Sequence, residues 1–242
     1  MDTAFSGTTT RTASTRTPGL PRLEAGDHLD RQTFHERYEA MPRAFRAELI
    51  RGVVIVPSPV SPLHARAHRI ATTWCGVYIA ATPGKDGFDN GSIFASDESE
   101  PQPDVSIIIS PEFGGKMRPR QDDEYLDGAP ELIVEVAVSS AAYDLFEKFD
   151  VYEQAGVLEY VVHIVQEQEI RWFQRQEDKF VPLAMDADGI FRSRVFPGLW
   201  LNAAAAVQAE DATMLQTLQQ GLASPEHKAF VEELQRRGPA KT

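Results

Sequence analysis

Glu135 interrupts Leu132-Ile-Val-Glu-Val-Ala-Val138, an apolar stretch rich in β-branched residues and preceded by the turn-like Asp127-Gly-Ala-Pro130. A carboxylate in the middle of such a strand is rarely buried unless a cation, a hydrogen-bond network or a water-filled cleft compensates it. Asp104 heads another clear strand, Asp104-Val-Ser-Ile-Ile-Ile109, entered through Pro101-Gln-Pro103. Sequential strands are usually neighbours, about 5 Å apart, so two carboxylates on one face can reach a single ion. Hard divalent cations, Mg²⁺ (or Mn²⁺), take oxygen ligands, often one or two carboxylates with waters. Lys148, one of only six lysines, lies on the helix predicted to follow the Glu135 strand. A lysine beside a metal-bound water can orient the nucleophile and offset charge on a phosphate. Glu48 opens an earlier strand and is placed to complete the metal shell.

Each of these residues also has a plainer reading. Asp104 serves as a polar strand start, Glu135 as a buried carboxylate paired with an arginine, and Glu48 as an edge-strand carboxylate. Lys148 becomes a solvated lysine paired with Asp144 at i−4. Convergence separates the two readings, because a metal centre requires all four in one cleft. His64 and His68, four apart on a predicted helix, share a face that could bind zinc. The glutamate of a zinc protease and a third ligand are not evident nearby, so a helix-surface or core role is preferred. Trp172-Phe173 could stack bases, although on an alternating strand one of the two belongs to the core. Ser139-Ser140 reads as the cap of the next helix. No phosphate-cradling glycine loop or Ser/His/Asp arrangement is evident.

The elements that must position these residues follow from periodicity. Phe34, Tyr38 and Met41 recur at helical spacing over residues 30–41. Residues 47–50 and 53–56, joined by Arg51-Gly52, form a hairpin pattern that Pro57-Ser-Pro59 and Pro62 end. Leu63, Ala67, Ile70, Trp74, Val77 and Tyr78 make a helical stripe over 63–80. A strand is expected around residues 91–96, then the Asp104 strand, a loop over 111–128 and the Glu135 strand. Residues 143–155 read as a helix with Leu145, Phe149 and Tyr152 on one face and Gly156 as its stop. Strands at 159–165, 169–174 and 180–183 form an antiparallel meander, and Pro197-Gly-Leu-Trp200 closes the core. Residues 211–237 are one or two helices broken near Ser224-Pro225. The sum is a mixed α/β (α+β) fold with helices flanking a central sheet.

Composition bounds the function classes. A chain of 242 residues at 42% hydrophobic and 25% charged can bury one substantial core. No apolar run approaches a membrane span and no signal-peptide h-region is visible, so no membrane association and a cytoplasmic location are expected. The single Cys75 excludes an internal disulfide and a Cys-rich zinc module. A net charge of −12 counts against strong DNA affinity unless a local basic cleft exists. Residues 1–26, rich in Thr, Ser, Arg and Pro, are expected to be a disordered leader, and 206–242 a C-terminal helical tail.

Certain motifs are recognisable together: Ala47-Glu-Leu-Ile-Arg-Gly52, Pro57-Ser-Pro59 with His64, Pro103-Asp-Val105 and Leu132-Ile-Val-Glu-Val136. They are followed by Tyr143-Asp-x-x-x-Lys148-x-x-x-Tyr152-x-x-Ala155-Gly-Val-x-Glu-Tyr160. This pattern closely resembles the Uma-type family of bacterial "putative restriction endonucleases" in the PD-(D/E)xK nuclease superfamily. The resemblance runs from about residue 30 to 205, and 132–160 is its most specific part. It implies a restriction-endonuclease-like core over 27–205, with Mg²⁺ held by Asp104, Glu135 and Glu48 and with Lys148 as the catalytic lysine. His64 would support the cleft. In the superfamily's short form the lysine stands two residues after the acid; here that position is Ala137, and the lysine is displaced onto the following helix.

The activity implied is metal-assisted hydrolysis of phosphodiester bonds by a bacterial endonuclease. Its substrate would be nucleic acid, with DNA expected, and a homodimer is the expectation from nucleases that cut two strands. The rival reading is a non-catalytic nucleic-acid-binding or assembly protein that keeps the fold. Acidic charge and the helical tail, which could pair with a partner, favour that rival.

Overall fold

The computed structural model describes residues 19–119, 125–138 and 140–239, so most of the expected leader and the charged run 120–124 lie outside it. Packing begins within the expected leader. Leu23 is buried against Phe34, Ala47, Leu49 and Val54, and the Gly26 N–H donates to the Val54 carbonyl at 2.8 Å.

Helix α1 (Arg31–Glu39) starts at Asp30, whose carboxylate accepts the Thr33 N–H. Strands β1 (Glu48–Ile50) and β2 (Val53–Ile55) form the expected hairpin. Its turn residues Arg51 and Gly52 have φ of 51° and 78°, the left-handed pair that matches strand twist in a two-residue turn. Helix α2 (Pro62–Ala81) begins with Ser61 accepting the His64 N–H and with proline at the first turn, where no amide donor is needed. Next come β3 (Lys85–Asp89), β4 (Ile93–Phe94) and β5 (Val105–Ile109). After β6 (Arg118–Pro119) and β7 (Leu126–Asp127), strand β8 (Leu132–Ala137) carries Glu135. Helix α3 (Ala141–Ala155) follows and stops at Gly156, whose φ of 92° ends it in the left-handed region. Strands β9 (Glu159–Ile164), β10 (Glu169–Gln176) and β11 (Lys179–Pro182) make the predicted meander. A second hairpin, β12 (Ile190–Arg192) and β13 (Trp200–Asn202), leads into α4 (Ala203–Val207), α5 (Asp211–Leu222) and α6 (Pro225–Arg237).

The central sheet has the order β11-β10-β9-β8-β5-β3. Its neighbours are antiparallel except β8 and β9, which run parallel because α3 carries the chain back across one face between them. The sheet is therefore mixed and flanked by helices, as the periodicity predicts. Period-2 alternation then sorts β8. Leu132, Val134 and Val136 enter a core shared with α2, α4 and α5, whereas Ile133 and Ala137 enter the core beneath α3. Glu135 falls on the α3 side.

Several elements differ from the expectation. The strand expected around 91–96 is the two-residue β4, and the longer β3 lies earlier. Lys85-Asp-Gly-Phe-Asp89 has little strand propensity, but at the sheet's edge it needs only β5 as a partner and leaves its polar side chains near water. The stretch 111–128, expected as a loop, contributes β6 and β7 to a small ribbon with β4. The helices expected as a tail pack on the domain: Met214 and Leu218 of α5 and Leu234 of α6 are fully buried. Their apolar faces are spent internally, which removes one argument for the assembly reading. Trp172 is the one of the pair that sits in the core, edge-on to Trp74 at 5.7 Å, whereas Phe173 packs on Phe149 and is half-buried.

Candidate functional site

The pairing register Val105↔Val134, continued by one residue, sets Asp104 opposite Glu135 on the α3 side of the sheet. The two carboxylates are tied through the backbone. The Val136 N–H donates to Asp104 Oδ2 at 2.7 Å, and the Asp104 N–H faces Glu135 Oε2 at 3.4 Å. Both residues are buried, Glu135 to 3% exposure. Glu48 comes from the hairpin on the same side. Its Oε1 accepts the Gln102 N–H at 2.6 Å, which anchors the hairpin to the segment leading into β5.

Lys148 meets these acids from α3. Its Nζ lies 3.0 Å from Glu135 Oε1, 3.0 Å from Glu48 Oε1 and 3.9 Å from Asp144 Oδ1, and the residue is 5% exposed. The solvated-lysine reading is thus set aside, although Asp144 is indeed one of its partners. Asp144, Lys148 and Tyr152 recur every four residues, so one face of α3 aims all three inward. The Tyr152 hydroxyl donates to Glu135 Oε1 at 2.7 Å. Ser140 stands at the cap position, but its hydroxyl donates to Asp144 Oδ2 at 2.6 Å instead of capping α3. Ser139 lies outside the described residues.

Four carboxylates and one ammonium share this space, and their protonation is interdependent. Burial raises Glu135 well above the ordinary carboxylate range; Lys148 counters this, and Asp104, Asp144 and Glu48 reinforce it. Burial lowers Lys148, but Glu135, Glu48 and Asp144 outweigh it and hold the ammonium well above its usual range. Burial also raises Asp144 against the pull of Lys148 and Ser140. Asp104 moves the other way: against burial, His64, the Val136 N–H and Lys148 draw it below the usual value.

His64 Nε2 lies 3.4 Å from Asp104 Oδ1, and the hydrogen bond to Asp104 raises its pKa over the opposing effect of burial. His68 Nε2 approaches the Asp104 carbonyl at 3.1 Å and Asp89 Oδ1 at 3.0 Å. The two imidazoles stack on α2 at 5.8 Å between centroids, each turned to its own acidic partner. Among the described residues no group of three or more His, Cys, Asp or Glu side chains is arranged to hold a metal. His64 and His68 each face an acid of their own, Asp104 and Asp89, instead of converging on one point. The donor chemistry still suits a hard divalent cation, since Asp104 and Glu135 present carboxylate oxygens from adjacent strands and one or two such ligands with waters suffice.

The structure thus brings Glu48, Asp104, Glu135, Lys148 and His64 into one cluster. Asp144 and Tyr152 belong to it too, and the sequence reading assigned them no chemical role. Their signal was the i±4 spacing from Lys148.

Comparison with known proteins accords with this geometry. No curated protein matches the chain. A crystal structure described as "a putative nuclease belonging to DUF820" from Anabaena variabilis superposes with a TM-score of 0.52. It covers 77% of this chain and 97% of its own at 12% sequence identity, a likeness of fold. Among the described residues no helix is long and apolar enough to cross a membrane. A family model matches residues 32–204, a span that takes in Glu48, His64, Asp104, Glu135, Lys148 and the whole central sheet. With fold, cluster and matched span in agreement, the chain belongs to the Uma2 family, described as "Putative restriction endonuclease".

Proposed function

We propose that this protein is a divalent-metal-dependent endonuclease that hydrolyses phosphodiester bonds in nucleic acid, DNA being the expected substrate. The observation that carries the reading is the meeting of Asp104, Glu135 and Lys148 on one face of the β5–β8 pair. Asp104 and Glu135 would hold the cation, with Glu48 beside them to complete its shell. When bound, it acidifies a coordinated water and neutralises phosphate charge. The protein's own residues do the rest. Val136 fixes the orientation of Asp104, and His64 covers its second oxygen. Lys148, kept as an ammonium by three carboxylates, acts as a charge donor and not as a base, offsetting negative charge that develops on phosphorus.

A second reading is favoured by one observation. Lys148 already supplies a cation to Glu48 and Glu135, so the cluster can stand as an ion network in a non-catalytic nucleic-acid-binding or assembly protein.

Plasmid and single-stranded DNA, incubated with Mg²⁺ or Mn²⁺, separate the two readings. The native protein is expected to nick, with the activity lost in both Glu135→Ala and Lys148→Ala. Silence from the native protein, together with no thermal stabilisation by Mn²⁺, would overturn the nuclease reading and leave the second. Cleavage surviving in both variants would place the activity elsewhere.

A further inference from the structure

Two donors from α3 converge on a single oxygen of Glu135. Lys148 Nζ reaches Oε1 at 3.0 Å and the Tyr152 hydroxyl reaches the same atom at 2.7 Å. Oε2, on the Asp104 side, meets the Asp104 N–H at 3.4 Å and no other donor among the described residues. The two donors are not equivalent. Lys148 is divided between Glu135 and Glu48 at equal distance, so it tolerates more than one carboxylate orientation. Tyr152 serves Glu135 alone among the carboxylates and cannot swing. Its ring is fully buried and packs edge-on against Tyr160 at 5.2 Å. Tyr160 is itself pinned, its hydroxyl donating to the Asp144 carbonyl at 2.9 Å.

We infer that Tyr152 is a positioning residue that sets which Glu135 oxygen is offered to a divalent cation. By occupying Oε1 on the α3 side it leaves Oε2, which faces the β5 strand at the Asp104 N–H, as the Glu135 oxygen offered to a cation. This inference rests on the metal-dependent reading above. The hydrogen-bond partners of a ligating carboxylate govern its orientation, and their loss commonly costs about 10–100-fold in metal affinity.

The test compares Tyr152→Phe with Tyr160→Phe. Both remove a buried hydroxyl from the same aromatic cluster and keep its ring, but only Tyr152 touches Glu135. Mn²⁺ affinity is measured by calorimetry below both melting temperatures, alongside kcat and KM on DNA. Y152F is expected to bind Mn²⁺ about 10-fold or more weakly and to lose kcat with KM for DNA unchanged. Y160F is expected to keep native Mn²⁺ affinity, whatever it does to the melting temperature. Native Mn²⁺ affinity in Y152F overturns the inference and leaves the nuclease reading intact. Equal weakening in both variants overturns it as well, by assigning the effect to packing. A native protein that binds no Mn²⁺ overturns the metal-dependent reading and this inference with it.

Discussion

Glu159 sits at the head of β9 with no exposed surface, accepting the Ser193 hydroxyl and the Arg194 N–H, each at 2.6 Å. Burial nevertheless pushes its carboxyl from an ordinary 4.5 up to about 7. Between those values the folded chain holds a proton that the unfolded chain has released, so stability falls as pH rises through the window. Glu159→Gln cannot ionise and removes the effect. The stability of the native protein relative to E159Q is expected to drop by roughly 3 kcal/mol from pH 4.5 to 7, read from denaturant unfolding at several pH values. A flat difference would mean that the carboxylate is hydrated. In the sequence Glu159 is part of the family motif but draws no role of its own, because an acid at a strand's first position looks solvated. Glu135 was legible for the opposite reason, with apolar neighbours on both sides in sequence. Tyr152 was read as one more apolar contact of α3, and its hydroxyl's partner lies 17 residues away on another element.

Helix α3 docks on the sheet through a charged contact as well as an apolar one. Lys148→Met keeps the length of the side chain and leaves Glu48, Glu135 and Asp144 facing one another without a cation. Breaking such a buried network is expected to cost about 3–5 kcal/mol in the presence of a chelator. Mn²⁺ should recover more stability in K148M than in the native protein, because it would replace the missing charge; thermal melts with and without Mn²⁺ decide this. An unchanged melting temperature in chelator would show that the acids there are already neutral. At this scale the sequence was a good guide where one period ran long enough, as in α2, β8, α3 and the β9–β11 meander. It failed for β3 and for the β12–β13 hairpin, whose short, polar strands exist through pairing and not through pattern. It also could not reveal that α5 and α6 spend their apolar faces on the domain itself.

The molecule as a whole carries a net charge of −12, so most of its surface repels a polyanion. On the proposed reading, attraction is concentrated at the candidate site and the divalent ion it would hold, with few lysines or arginines displacing counterions. Binding of a labelled duplex by the Glu135→Gln variant, with Mg²⁺ fixed and KCl varied, is therefore expected to give a shallow salt dependence, with a slope equivalent to about three phosphates or fewer. A slope equivalent to six or more would reveal a basic face that net charge conceals. The central sheet also gathers all three tryptophans on one side. Trp74 and Trp172 pack against each other on the α2 side, and the Trp200 ring lies against α5 on that same side. Tyr143, Tyr152 and Tyr160 lie on the α3 side with the acids. Tryptophan emission thus follows the half of the protein that holds it together, and no indole lies among the acids proposed to do chemistry. Loss of the α2-side core can be watched by intrinsic fluorescence in an unlabelled sample while the acid cluster contributes no indole signal of its own.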